Sequence, residues 1–324
     1  MPKPRAAPPA GAIDFDVIVI GAGPAGMSAA LVLARCRHSV LVVDSGKPRN
    51  AAARGVHAYL TRDGISPLEL RALGRKELRR YRVTLRAGEA VSAKSAQGRF
   101  RVRLGSGELL RSRGLVLATG VRDRVPDIPG LAELYGKSVH HCPFCEGWEE
   151  RDRPLAVYGK GKAGHGLALK LTAWSSDLVL VSDGPSGLRS GPRRELEKEG
   201  IPLMEGRIAA VDGSRGRLRR IRFADGSTLE RAAMFFTTGH EQSCDLALQL
   251  GCSFTRSGEV RTGHGEKTCL PRLYVVGDAS RDVQLSIFAA AEGVKAAVFL
   301  HAELDQLKRM ERRRKTSTKG RNRA

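Results

Sequence analysis

Two cysteines separated by two residues, Cys142 and Cys145, are followed directly by Glu146. A pair so spaced can close into a small disulfide and reopen by thiol–disulfide exchange. The first thiol of such a pair stands at a helix N-terminus, where its thiolate is stabilised. Glu146 can protonate a departing thiolate, or it can serve as a first-turn acid favoured by the helix dipole. His140 and His141 precede the pair; they either lower the thiol pKa further or lie in a surface loop. A Cys-x-x-Cys can also be half of a zinc site. No second such pair exists, and Cys244 and Cys252 are too widely spaced to replace one. The pattern therefore points to redox chemistry with no metal.

The dithiol lies between two glycine-rich loops. The first, Gly21-Ala22-Gly23-Pro24-Ala25-Gly26, follows the apolar run Asp16 to Ile20 and opens a helix expected over 25–35. Its glycines let the backbone approach a pyrophosphate, and the helix N-terminus supplies unpaired N–H groups. Asp44, with Ser45 beside it, ends the next strand 23 positions after Gly21, where an acid can bind ribose hydroxyls. The same acid repels a 2′-phosphate, which points to FAD or NAD. The second loop, Gly159-Lys160-Gly161-Lys162-Ala163-Gly164, has its own strand and helix, with Asp183 as the acidic candidate. It either binds a second dinucleotide or belongs to a degenerate domain retained to present the dithiol. A lone loop of this kind is weak evidence; the dithiol between two of them is much stronger.

The elements that must hold these residues form an approximate duplication. Glycine loop, hairpin and strand-Thr-Gly occur once up to Gly120, and again through a hairpin turning at Asp225-Gly226 to Gly239. Arg101 to Leu104 and Leu109 to Arg113 read as the first hairpin, with a separate buried strand from Gly114 to Thr119. A Pro-rich crossing at 125–130 marks a domain boundary. The last strand-loop-helix, Leu273 to Leu304, lacks a glycine loop and completes the first domain.

With 324 residues, 41% hydrophobic, the chain has material for about two domains. Scattered single thiols fit a cytoplasmic protein rather than a disulfide framework. No run reaches the ~18 apolar residues of a membrane span, and residues 1–12 have no apolar stretch of a signal peptide. Net charge is +21, concentrated in part in the segment from Lys308 to Arg323. That segment reads as a solvated disordered tail, or as one making weak nonspecific contact with nucleic acid or anionic lipid.

On GAGPAG, LATG, CPFCEG ahead of GKGKAG, and VVGDAS before a helix, residues 13 to 305 resemble a low-molecular-weight thioredoxin reductase-type flavoprotein. The resemblance implies an α/β fold of two Rossmann-like dinucleotide-binding domains, three-layer ββα, the second inserted into the first. FAD is expected to bind residues 13–125 and 247–305, and a nicotinamide nucleotide residues 126–246, which carry the Cys-x-x-Cys. Residues 1–12 and 306–324 are expected to be disordered. Cys145 matches the cysteine facing the flavin, Cys142 the one attacking the external disulfide, and Glu146 the usual aspartate acid. Gly120, Gly277, Asp278 and Gln284 fall at flavin contacts, and a homodimer is implied.

Two departures bear on chemistry. Where the family places arginines for an NADPH 2′-phosphate, this chain has Ser182-Asp183-Gly184-Pro185, which argues by charge against an NADPH preference. CPFC is closer to the Cys-Pro-x-Cys of the flavoprotein subunit of alkyl hydroperoxide reductase. The expected activity is FAD-dependent transfer from NADH or NADPH through Cys142 and Cys145 to thioredoxin or a similar disulfide. The alternative is a dithiol oxidase that forms disulfides in a small molecule or protein and reduces oxygen. A third reading is a nonenzymatic redox-sensing flavoprotein that binds through its basic tail.

Overall fold

The computed structural model describes residues 13–280 and 283–321; the expectations for residues 1–12 and 322–324 fall outside it. Packing divides the described residues into two compact units, the first drawn from 1–48, 69–121 and 242–324, the second from 49–68 and 122–241. Residues 49–68, which the sequence reading gave to the first domain, pack with the second unit.

In the first unit β1 (Phe15–Ile20), α1 (Pro24–Arg35) and β2 (Val40–Asp44) form the expected βαβ element. α2 (Pro67–Arg80) leads to β3 (Thr84–Ala87), followed by β4 (Ala90–Ala96), β5 (Arg99–Leu104) and β6 (Leu109–Leu117). The sheet order is β3-β2-β1-β6-β5-β4. β6 is one strand where the sequence suggested two. Its first half pairs antiparallel with β5 and its second half parallel with β1. Gly114 does not break it; a β-carbon there would lie 2.9 Å from Leu300 Cδ1, so the glycine makes room for a helix.

The chain leaves through β7 (Val121–Asp123) and enters the second unit with β8 (Val139–His140) and α3 (Pro143–Glu146). Then come β9 (Leu155–Tyr158), α4 (Gly161–Leu171), β10 (Leu178–Val181), α5 (Ser190–Lys198) and β11 (Leu203–Met204). β12 (Ile208–Ser214), β13 (Arg217–Phe223) and β14 (Thr228–Glu230) form an antiparallel sheet. Its second turn uses Gly226 at φ 87°, with Ser227 N–H donating to Asp225 Oδ1 at 2.9 Å. β15 (Ala233–Phe236) completes a parallel sheet of order β11-β10-β9-β15-β8. The chain returns through β16 (His240–Gln242) to α6 (Leu246–Gln249), β17 (Leu273–Val275), which pairs parallel with β6, and α7 (Ser286–Arg321).

Side chains alternate across β1 as the pleat demands. Val17 and Val19 pack with Leu33 of α1 and Ala297 and Leu300 of α7. Ile18 and Ile20 face Phe100, Val102, Leu246 and Leu250. The second unit repeats the plan, with Leu167 and Leu171 of α4 on one face of its sheet and Ile221 and Phe223 on the other. No helix among the described residues is long and apolar enough to cross a membrane.

The expected disorder of residues 306–324 does not hold for 306–321, which continue α7. The helix runs past Leu304 because polar contacts hold it. Lys308 Nζ lies 3.2 Å from Asp16 Oδ2, and Arg113 pairs with Glu311 at 3.5 Å. Burial opposes charge on Asp16, yet hydrogen bonds from His38 and the Ser39 N–H, with the charge of Lys308, hold its carboxyl well below the usual range.

α1 and α7 meet as bare backbone. A β-carbon on Gly293 would lie 2.0 Å from Ala25 O. Alanine's helix propensity favours the substitution by about 1 kcal/mol, but overlap with a carbonyl cannot be relieved by a rotamer change, and overpacking of this kind costs about 1–3 kcal/mol. Gly293→Ala is therefore expected to lower stability in urea denaturation; an unchanged or higher midpoint would show that the two helices separate freely.

Candidate functional site

Cys142 is the N-cap of α3, with extended backbone, and Pro143 occupies the first helical position, where its missing N–H costs no hydrogen bond. One turn later stands Cys145, with a Cα–Cα separation of 5.3 Å, and the two sulfurs form a disulfide. Cys145 N–H donates to Cys142 Sγ at 3.2 Å, so the capping atom is itself one of the disulfide sulfurs. Gly147 lets the chain pass under Trp174; a β-carbon there would sit 2.7 Å from that ring. Phe144, between the cysteines, packs edge-on against Trp174 with centroids 5.9 Å apart. Phe144 and Trp148 remain exposed.

Glu146 is half-buried. Burial, then the negative charges of Glu149 and Glu150, push its carboxyl up to about 7, with Arg54 opposing. It lines a cavity of about 430 Å³ together with Arg54, His57, Glu149, Glu150 and Arg153. Ligand atoms of His57, Glu146 and Glu149 lie within 4.8 Å of one another, and His57 Nδ1 is 3.4 Å from Glu149 Oε1. Arg54 and His57 come from residues 49–68, far from the cysteines in sequence, and no motif announced them. Glu149 and Glu150 lie three and four positions after Glu146, in a spacing that by itself assigns them no role.

The two histidines before the dithiol face carboxylates. His140 is buried on β8, with Nε2 3.4 Å from Glu150 Oε1 and its ring against Phe235. This overturns the surface-loop alternative for His140. His141 Nδ1 lies 3.6 Å from Asp123 Oδ2. Burial works against charge on Asp123, but Arg49, His141 and the Tyr135 hydroxyl hold its carboxyl below the usual range.

The first glycine loop has the shape a pyrophosphate needs. Gly21 adopts φ 105°, and a β-carbon there would lie 2.2 Å from Ala118 O; one on Gly26 would lie 2.0 Å from Gly21 O. Around Gly23 the same space is open, with no heavy atom within 4 Å. α1 begins at Pro24 with no side-chain cap, which leaves its first N–H groups for a ligand; Ala25 and Gly26 form that first turn. Asp44 is more engaged than the sequence implied. Oδ1 accepts from Ala22 N–H at 3.1 Å, and Oδ2 accepts from Arg71 at 2.6 Å and Arg75 at 2.8 Å. Ser45 beside it is exposed. Gly120 turns the chain after β6 at φ 65° with open space around it.

Gly277 and Asp278 lie in a 3-10 turn after β17, and Gln284 stands just before α7. Glu292, a buried acid on α7 that sequence reasoning missed, fixes this turn. Its Oε2 accepts from Gly277 N–H at 2.6 Å and from the Ser280 hydroxyl at 3.1 Å. The signal was a lone glutamate on the apolar face of a helix.

The second loop repeats the cradle. A β-carbon on Gly159 would lie 2.8 Å from Gly164 Cα, while Gly161, at φ 54°, has open space. α4 starts there with no side-chain cap. Asp183 sits in a left-handed turn at φ 50°. Its Oδ1 accepts from Ile208 N–H at 2.8 Å and its Oδ2 from the Tyr158 hydroxyl at 3.4 Å. Two cations share the turn: a β-carbon on Gly184 would stand 3.8 Å from an Arg207 guanidinium nitrogen and 3.9 Å from Lys160 Nζ. Lys160 belongs to the glycine loop and Arg207 lies 24 positions after Asp183, so only the fold sets them beside the acid.

Residues 15–293 match the family described as pyridine nucleotide-disulphide oxidoreductase. The chain is 32% identical to thioredoxin reductase tcpT of Claviceps purpurea, over 90% of this chain and 95% of that protein. Among solved structures, that of HlmI superposes with a TM-score of 0.90 at 36% identity, covering 96% of this chain and 98% of that one. An oxidoreductase from Agrobacterium tumefaciens superposes with a TM-score of 0.84 at 30% identity, covering 90% and 99%.

The folded-state pKa of Glu146, near 7 against an ordinary 4.5, fixes two signs. The folded protein binds more protons between those values, so this group's contribution to stability is complete below pH 4.5 and is lost as pH rises through 7. Glu146→Gln is expected to remove that loss, and Glu149→Gln to move the apparent pKa down. Urea midpoints measured from pH 5 to 8 check both; identical pH profiles for wild type and Glu146→Gln would overturn the assignment.

Proposed function

From the premise that the chain belongs to the pyridine nucleotide-disulphide oxidoreductase family, as an enzyme of thioredoxin reductase type using FAD and NAD(P)H, we propose that Cys142 and Cys145 are its exchanging sulfurs and Glu146 their proton donor. The carrying observation is the disulfide closed within the first turn of α3, beside an acid poised near neutral pH. Bound FAD supplies two-electron exchange between nicotinamide and the dithiol.

In the reducing direction the pair would first be opened to the dithiol with electrons from nicotinamide by way of FAD, and Cys142 Sγ, as thiolate, attacks one sulfur of the external disulfide. A bond forms between Cys142 and the substrate, and the other substrate sulfur leaves as thiolate and takes a proton from Glu146. Cys145 Sγ then attacks Cys142 Sγ, the bond from Cys142 to the substrate breaks, the second substrate sulfur leaves with the Cys145 proton, and the internal disulfide closes. Proline at the first helical position and the Trp174 ring against Phe144 keep the two sulfurs in one fixed turn. A pKa near 7 suits both gain and loss of the proton at working pH. Thioredoxin or a similar small disulfide is the substrate class this chemistry serves.

The cofactor residues follow from the two cradles. Gly21, Gly23, Pro24, Ala25 and Gly26 would hold the FAD pyrophosphate, with Asp44 and Ser45 toward the ribose and Gly120, Gly277, Asp278 and Gln284 toward the rest of the flavin. Gly159, Gly161 and Gly164 would hold the nicotinamide nucleotide, with Asp183 at its ribose. Asp183 supports NADH as at least as good a donor as NADPH; Arg207 and Lys160 are the cations that would engage a 2′-phosphate. The acid at that turn also favours a second reading, in which a dithiol reduces Cys142–Cys145 and oxygen is the final acceptor. A cytoplasmic homodimer completes the proposal, and sedimentation of the purified protein as a monomer would remove that part.

Anaerobic titration with NADH, NADPH and a dithiol, each alone, tests the main proposal. Flavin bleaching by NADH at least equal to that by NADPH is expected, with Arg207→Ala weakening only the NADPH response. Bleaching by the dithiol alone, with oxygen uptake on aeration, would establish the second reading instead. Cys142→Ser and Cys145→Ser should each lower disulfide turnover at least about a thousandfold, of the order seen when a nucleophile is lost. Turnover untouched by either substitution would refute the assignment of the sulfurs.

A further inference from the structure

We propose that Cys252 and Cys269 form a second, reversible redox pair, a modification site in the first unit separate from Cys142 and Cys145. The two lie 17 positions apart in sequence, and the fold brings them together. Cys252 follows α6 and is buried; its N–H donates to Ala247 O at 3.0 Å. Gly251, at φ 75°, turns the chain just before it. Cys269 is exposed in a turn fixed by Thr268, whose hydroxyl accepts from Leu270 N–H at 3.2 Å and donates to Leu273 O at 3.0 Å. The Cys269 thiol donates to Gly251 O at 3.7 Å, on the residue just before Cys252, which brings the two sulfurs within electrostatic reach of each other. Neither has a part in the exchange chemistry above.

Their environments assign the order of events. Burial, then the neighbouring sulfur, push the Cys252 thiol up to about 11, so it stays protonated and shielded at neutral pH. Cys269 is the sulfur a solvent oxidant reaches. With hydrogen peroxide as oxidant, the Cys269 thiolate attacks one peroxide oxygen. The O–O bond breaks, water forms after protonation, and Cys269 becomes a sulfenic acid. Cys252 Sγ then attacks that sulfur, the S–O bond breaks, a second water leaves with the Cys252 proton, and the S–S bond forms. Two electrons pass from the sulfurs to peroxide. The bond ties the end of α6 to the turn before β17, the strand that runs into Gly277 and Asp278.

The test uses the full-length flavin-loaded Cys142→Ser/Cys145→Ser protein, which leaves four thiols, Cys36, Cys244, Cys252 and Cys269. After peroxide, thiol titration should fall from four to two without change in flavin content. Peptide mass spectrometry should find Cys269 joined to Cys252, and dithiothreitol should restore all four. Adding Cys269→Ser, an exposed position that leaves the core intact, should abolish the link, and adding Cys244→Ser should leave it. An unchanged thiol count, Cys269 ending as sulfinic acid without a link, or linkage to Cys244 or to another molecule would each overturn the proposal.

Discussion

At Gly26 the carbonyl oxygen of Gly21 lies 2.0 Å from where a side chain would begin, so β1 and α1 can meet only as bare backbone. The rest of the first unit is built on that contact. It holds the uncapped start of α1 at the mouth of the loop, directs Ala29, Ala30 and Leu33 onto the sheet, and leaves α7 to cross α1 at Gly293. Between these closed approaches, Gly23 opens onto empty space. A loop closed at its ends and open at its centre is what an anion needs: N–H groups aimed outward and no side chain in the way. The second unit uses the same arrangement at Gly159, Gly161 and Gly164.

The disulfide turn of α3 adds electrostatics to this geometry. Three glutamates lie within five positions, Glu146, Glu149 and Glu150, and they cannot all hold full charge at low cost while partly out of water. The structure distributes the burden. Glu150 is paired with Arg153 and His140, and Glu149 faces His57. Glu146 is left as the one whose proton is retained toward neutral pH. Its raised pKa, on which the proposed donor role rests, thus follows from its neighbours' partners as much as from its place beside Cys145.

The Cys142–Cys145 disulfide and the proposed Cys252–Cys269 pair illustrate two ways to place sulfurs together. Cys142 and Cys145 are joined by one helical turn, so the chain itself keeps them close, and Trp174 against Phe144 only steadies that turn. Cys252 and Cys269 meet because α6 packs against the mixed sheet of the first unit while the Thr268 turn leads into β17. Their contact depends on the whole unit being folded, and an unfolded chain would not favour it.

Much of the architecture was legible in the sequence for a local reason. Strand, glycine turn and helix are neighbours along the chain, and the pleat and the helical period leave marks in DVIVI, SVLVV and the loops themselves. The Cys-x-x-Cys with its following acid was legible for the same reason. Three features were not. β6 was divided in two because Gly114 looks like a break until Leu300 is seen against it. The end of α7 looked unstructured because its basic composition hid the contact of Lys308 with Asp16. The surroundings of Glu146 and Asp183 were hidden because Arg54, His57 and Arg207 come from distant segments. A sequence specifies what each residue can do and what its near neighbours will form; which charges share a cavity, and therefore which protons and sulfurs react, is decided only when remote segments exclude water from the same space.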